Sequence, residues 1–199
     1  MIRLAIGLVA AFWCFTAFGD SYQVDAKASQ LLWVGEKVTG KHDGTIDIKS
    51  GEFTLGAKGA ASGKFFVDMK SIKCTDIEDP EYNGKLVGHL KSPDFFDVGK
   101  YPMAKFELKS AKKISGNTYS FSGNLTIKKA TNPLTFKGKL VKNSSGMTLD
   151  ADVVFDRSKF DIRYNSKSFF DPAKLGDKLI YNNIKLKLKI AAKKKGKAS

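Results

Sequence analysis

From about residue 30 to residue 190 the chain alternates apolar and polar side chains with a period of two, and no other feature limits its fold as much. Ala104, Phe106 and Leu108 fall on one face, while Lys105, Glu107 and Lys109 fall on the other. The next run puts Tyr119, Phe121, Gly123, Leu125 and Ile127 together, and the one after it Leu134, Phe136, Gly138 and Leu140. Met147, Leu149, Ala151, Val153 and Phe155 alternate with Thr148, Asp150, Asp152 and Asp156. Ile184, Leu186, Leu188 and Ile190 alternate with Lys185, Lys187 and Lys189. Successive side chains of a strand point to opposite faces, so these are half-buried antiparallel strands. Turn residues at 115–117 (SGN), 131–133 (TNP) and 143–146 (NSSG) keep the connections short and the neighbours up-and-down.

Further strands are expected near 31–38, 45–49, 52–57 and 63–72. The total is about eight, the number at which a closed barrel encloses either packed side chains or one small ligand. Closure also removes the free edges of a long antiparallel sheet. The expected fold is therefore all-β, an antiparallel closed barrel with one short covering helix. That helix is expected near 81–91, where Tyr82, Leu86 and Leu90 recur at helical spacing and Ser92-Pro93 ends the run. A tight turn then docks Phe95 and Phe96. Residues 164–178 read as an irregular loop with one helical turn after Asp171-Pro172.

The first nineteen residues follow another pattern. Arg3 is their only charge, an apolar run extends from Leu4 to Phe18, and Ala17 and Gly19 sit three and one positions before a cut at Asp20. These are the parts of a secretory signal peptide, and the run is short of the roughly 20 residues a membrane span needs. The sequence thus divides into a leader (1–19), one barrel domain (20–192) and a basic, disordered tail (193–199), with the periplasm or the exterior as destination. Cleavage removes Cys14 and leaves Cys74 as the one cysteine, so no internal disulfide forms. Burial of that thiol is the plainer expectation over pairing between chains, and a homodimer stays open.

The formal charge is +14, and only three of the 34 basic residues are arginine. Nucleic-acid recognition leans on arginine forks, so the lysine bias and the export signal both speak against that partner. The lysines read as solvated strand faces. Lys193, Lys194, Lys195 and Lys197 in addition suit transient attraction to an anionic membrane.

Catalytic chemistry finds little to work with. The two histidines, His42 in an expected turn and His89 in the expected helix, are far apart in sequence and offer no zinc spacing with Cys74. Cys74 with His89 as a nucleophile–base pair rests on residue type alone. No phosphate loop, nucleophile elbow or HExxH is present. No cofactor and no enzyme activity are expected. What remains is the interior: many of the 15 phenylalanines lie on inward faces, which suits a filled core and an open apolar cavity alike.

The segments SIKCTD (71–76) and GHLKSPDFFDVGKYPMAKF (88–106) resemble the signature of the YceI-like family. YQVDAKAS (22–29), GNLTIK (123–128) and DRSKFDI (156–162) extend the resemblance, in order, across 22–192. It implies an exported, lipocalin-like barrel that holds a polyisoprenoid or other long-chain lipid in an apolar channel. Phe106, Leu108, Phe121, Leu125, Phe136, Val153 and Phe155 would then face the ligand, with His89 in the helix that covers it and polar residues near the mouth meeting a headgroup. Two positions depart from the family pattern: Ala28-Ser29 stands where many members have His-Ser, and Asp161 where many have Gly. The rival expectation is a secreted interaction module with a filled core, acting through its lysine-rich surface.

Overall fold

The computed structural model describes residues 19–196. The expected leader, Gly19 apart, lies outside the described residues. Nine strands run in chain order: β1 (Asp20–Val24), β2 (Gln30–Lys37), β3 (Gly40–Leu55), β4 (Ala60–Cys74), β5 (Met103–Ser115), β6 (Thr118–Ile127), β7 (Ala130–Lys142), β8 (Gly146–Asp156) and β9 (Asn183–Lys194). One helix, α1 (Pro80–Lys91), separates β4 from β5, and a single turn, α2 (Pro172–Leu175), lies between β8 and β9.

All neighbours are antiparallel, and pairing of β3 with β4 closes the ring. The nine strands make eight staves. β2 pairs with the first part of β3 (Leu32↔Thr45 to Lys37↔Gly40) and β1 with its last part (Asp20↔Leu55 to Gln23↔Glu52). Both also pair with β9, so β1 and β2 are one stave interrupted at 25–29. The interruption is stitched to its neighbour: Asp25 donates its N–H to Ala191 O, and the Ser29 hydroxyl accepts from Ala191 N–H. Closure leaves no long unpaired edge on which another strand could pair.

Alternation located these strands, and three details went beyond it. The runs expected at 45–49 and 52–57 are one strand, because register shifts between Thr45 and Asp47 and between Ile48 and Ser50 break the period without ending the ladder. His42 is in β3 rather than in a turn; the β2–β3 turn is at Val38 and Thr39. β1 was not expected as a strand. The assigned tail also needs correction. Lys193 and Lys194 continue β9 and form ion pairs with Asp25 and Asp20, both at 2.7 Å. Lys195 donates its N–H to Ser21 O and pairs with Glu52 at 2.8 Å. The acids that order this end come from β1, the residue just after it and β3, far away in sequence. Residues 197–199 lie outside the described residues.

Two glycines show how tightly the wall is built. A Cβ on Gly44 would sit 1.8 Å from Lys73 O and 2.8 Å from the Trp33 ring, so only glycine lets that indole cross. Trp33 Nε1 then donates to Lys73 O at 3.1 Å. A Cβ on Gly123 would meet the Phe106 ring at 2.6 Å.

α1 forms where expected. Asp79 caps it by accepting the N–H groups of Glu81 and Tyr82, Pro80 fills the first turn, and Ser92 ends it. Leu86, Val87 and Leu90 face the barrel, and Asn83 Nδ2 donates to Cys74 O and Ile77 O, which fixes the helix to the end of β4. Helix and strands enclose two apolar clusters along one axis. Trp33, Ile72, Leu90, Phe95 and Ile162 belong to the cluster at the helix end; Tyr22, Phe53, Phe121, Leu140 and Met147 belong to the cluster at the far end.

Candidate functional site

Each apolar cluster surrounds a cavity. The far chamber, about 140 Å³, is walled by hydrocarbon alone. A belt of aromatic rings runs through its wall from strand to strand. Tyr22 stacks on Phe53 at 5.3 Å, Phe53 on Phe65 at 5.5 Å, and Phe65 approaches Phe106 at 6.2 Å. Phe106 then meets Phe136 at 5.8 Å, and Phe136 stacks on Phe121 at 5.4 Å. Rings at such offsets attract one another and present flat apolar faces inward. The helix-end chamber, about 170 Å³, lies under α1 and takes Leu86 and Leu90 as part of its cover. Leu31, Val67, Leu125 and Leu186 border both chambers and form a waist between them.

Of the residues singled out from the sequence, Phe106, Leu108, Phe121, Phe136 and Val153 line the far chamber, Phe155 the helix-end chamber, and Leu125 the waist. His89 lines neither. Its ring packs edge-on against Tyr164 at 4.4 Å and Phe95 at 5.0 Å, and its Nε2 lies 3.6 Å from Asp94. It braces helix to loop rather than facing a ligand. Sequence reasoning missed Phe53 and Phe65 because the bulges in β3, and the long strand β4 beside it, spoil the local alternation. It missed Trp33 and the other three waist residues, Leu31, Val67 and Leu186, for another reason: nothing in a strand pattern says how high along the axis a side chain sits.

The polar groups collect where the helix-end chamber opens. Glu36, Lys37, His42 and Arg157 border it there. Arg157 is buried and forms no ion pair with a described residue. Its guanidinium donates instead to four backbone carbonyls, those of Ile162, Tyr164, Ile180 and Tyr181, at 2.9–3.2 Å. These carbonyls stand at the two ends of the 163–181 loop, so one side chain ties both ends of that loop to the barrel. Burial lowers the Arg157 pKa to about 10, with the charge of Asp156 acting in the other direction, and the group stays cationic at neutral pH.

Beside this opening, His42, Cys74 and Asp76 converge with their donor atoms within 4.8 Å of one another. Asp76 is the hub. It accepts from Asp43 N–H and Cys74 Sγ on one oxygen and pairs with His42 Nδ1 at 2.9 Å on the other. Burial opposes its ionisation, but the Asp43 N–H, His42 and Cys74 outweigh that and hold its pKa at about 2. Burial and then Asp76 push the Cys74 thiol up, away from the thiolate a nucleophile or metal ligand requires. The trio clamps β3 to the end of β4. Cys74 and His89, the pair considered from the sequence, do not meet. Among the described residues no nucleophile–base pair faces either chamber.

The YceI-like domain family matches residues 22–192. The chain belongs to the YceI-like family. A UPF0312 protein of Pseudomonas paraeruginosa is 31% identical over 147 residues, which cover 71% of this chain and 72% of that one. Protein YceI of Escherichia coli is 34% identical over 98 residues, 49% of this chain and 48% of its own length. This chain therefore aligns with about half of the Escherichia coli relative. Among solved structures, Burkholderia cenocepacia BcnA superposes with a TM-score of 0.65 at 23% identity, covering 84% of this chain and 98% of BcnA. A domain from Saccharophagus degradans described as polyisoprenoid binding gives a TM-score of 0.62 at 12% identity, covering 87% and 98%. At such identities the likeness is one of fold. The two departures from the family pattern have local consequences in this YceI-like protein. Asp161 takes a left-handed conformation (φ 59°) after the 157–160 turn and pairs with Arg163. Ala28 belongs to the turn stitched to β9, and neither residue borders a chamber. Fold and lining give this barrel two apolar chambers whose chemistry suits a hydrophobic ligand.

Proposed function

We propose that this YceI-like protein is an exported carrier, periplasmic or secreted, for a long-chain lipid of isoprenoid type. The observation that carries the reading is the pair of chambers in line, meeting at a waist of four aliphatic residues and opening at the helix end. A compact apolar molecule would need one chamber; an extended tail uses both. Each CH₂ taken out of water gains about 0.8 kcal/mol, so a dry channel solubilises a long tail without any covalent step. Branched isoprene units also suit a wall in which flat phenyl faces alternate with leucines, since methyl groups pack against ring faces. The description of the Saccharophagus degradans domain as polyisoprenoid binding supports the same cargo class by analogy of fold.

The test is native purification from the exported fraction, solvent extraction and mass spectrometry. A near-stoichiometric species with a mass ladder of isoprene units is expected. Protein that carries no lipid, or straight-chain acyl lipids only, would overturn the isoprenoid assignment, and empty protein would bring back the interaction-module reading.

A further inference from the structure

Every exposed aromatic side chain among the described residues is at one end of the barrel. Tyr82 is on α1; Tyr164, Phe169, Phe170 and Tyr181 are on or beside the 163–181 loop, and Val38, at the β2–β3 turn, joins them. Phe170 and Val38 are each about half exposed, at 50% and 49%. These groups are held as one surface. Val38 N–H donates to Leu179 O, Tyr181 N–H donates to Glu36 O, and Asn182 bridges the hydroxyls of Ser166 and Ser168 directly before Phe169. Arg157 pins the loop from inside, and Arg163 lies 5.0 Å over the Phe169 ring. Residues 163–181 contain four basic and two acidic side chains. Lys167, Lys174 and Lys178 form no ion pair with a described residue. At the opposite end of the barrel, Lys193, Lys194 and Lys195 are each paired with a carboxylate.

We propose that this aromatic rim docks on an anionic phospholipid surface, placing the opening of the helix-end chamber against the bilayer. The proposal rests on the carrier reading for its purpose, but not for its evidence. Aromatic and basic side chains interleaved at one face are what the bilayer interface favours: rings enter the headgroup layer while lysines meet lipid phosphates. The rim surrounds the opening that Ile180, Glu36 and Lys37 border. A hydrophobic cargo must cross that opening, and a rim seated in the interface lets it pass without meeting bulk water.

Flotation with phosphatidylcholine vesicles, with and without phosphatidylglycerol, tests the surface. Wild-type protein should float with the anionic vesicles, less so as salt rises, and F169S/F170S should partition at least about tenfold more weakly. A second measurement does not depend on loss of function. F170W should be quenched by brominated phosphatidylglycerol vesicles, whereas I114W, at the β5–β6 end, should not. Equal quenching of the two, quenching of neither, or F169S/F170S floating like wild type would overturn the proposal. So would burial of the Trp in F170W through self-association without vesicles, which would assign the rim to a second copy of this chain. Mass spectrometry of the same preparation separates the two readings. Docking without lipid cargo defeats the carrier reading alone, and cargo without docking defeats this proposal alone.

Discussion

Phe121 and Phe136 are direct cross-strand partners on β6 and β7, and their rings stack at 5.4 Å with planes 24° apart. Each has a neighbouring ring on one side and the far chamber on the other. A close-packed phenylalanine cut to alanine costs about 3–5 kcal/mol, because the hole keeps its partner atoms at a distance. Here part of that hole already exists. Phe121→Ala should fold, lose about 2–3 kcal/mol in a urea titration, and copurify with much less lipid. A loss at the top of the core range with lipid content unchanged would mean that the ring serves only the wall.

Arg157 gives a second test. Four carbonyls accept from one guanidinium, and no aliphatic side chain can replace five fixed donors. Arg157→Met should destabilise the protein by about 3 kcal/mol, as expected when buried hydrogen bonds to a charged group are broken. The loss should be local first. Hydrogen exchange at 163–181 should accelerate well before the strands open, and Arg157→Lys should recover only part of the protection.

Acid stability should depend on Asp76. Its pKa of about 2 is below the usual 3.8, so the carboxylate adds stability that is fully present above about pH 4 and lost as pH falls through about 2. The group is partly exposed, so solvent screening reduces the contribution to about 1 kcal/mol. Asp76→Asn should lower stability at neutral pH and flatten the fall between about pH 4 and pH 2. Urea midpoints measured across that window check both. An Asn variant that follows the wild-type acid limb would show that other carboxylates set it.

Strand alternation carried most of the fold because it records which face is buried, and closure of about eight such strands has few alternatives. It failed where the period slips. The bulges of β3 split one strand into two expected runs, and β1 was too short and too interrupted to register. The helix was legible from Tyr82, Leu86 and Leu90 at helical spacing and from the stop at Ser92-Pro93, all local signals. The order of residues 193–195 was not, because their acid partners Asp25, Asp20 and Glu52 come from the other end of the chain. In the site, inward phenylalanines could be named from their strand faces alone. His89 could not be placed, since a helix residue's facing depends on the 163–181 loop, which no periodicity describes. Height along the barrel axis is the general blind spot, and it hid both the waist and the concentration of aromatics at one rim.

The waist yields the last prediction. Leu31, Val67, Leu125 and Leu186 stand where the two chambers meet, and each borders both. If one tail occupies both chambers, its length is limited by whether it can thread this ring. Leu125 is the best place to act, because it projects from the last part of β6 and is only partly buried. Leu125→Trp adds bulk that the waist can take up only by filling itself, at an overpacking cost of about 1–3 kcal/mol. The barrel should survive that cost, and the far chamber should be closed off. Lipid extracted from the variant should then shift to shorter chains while occupancy of the helix-end chamber persists. Val67→Ala acts in the opposite sense, and should admit the same or longer chains at a smaller loss of stability. An unchanged chain-length profile in Leu125→Trp, with the protein folded and lipid bound, would mean that the cargo occupies the helix-end chamber alone and that the aromatic belt is core.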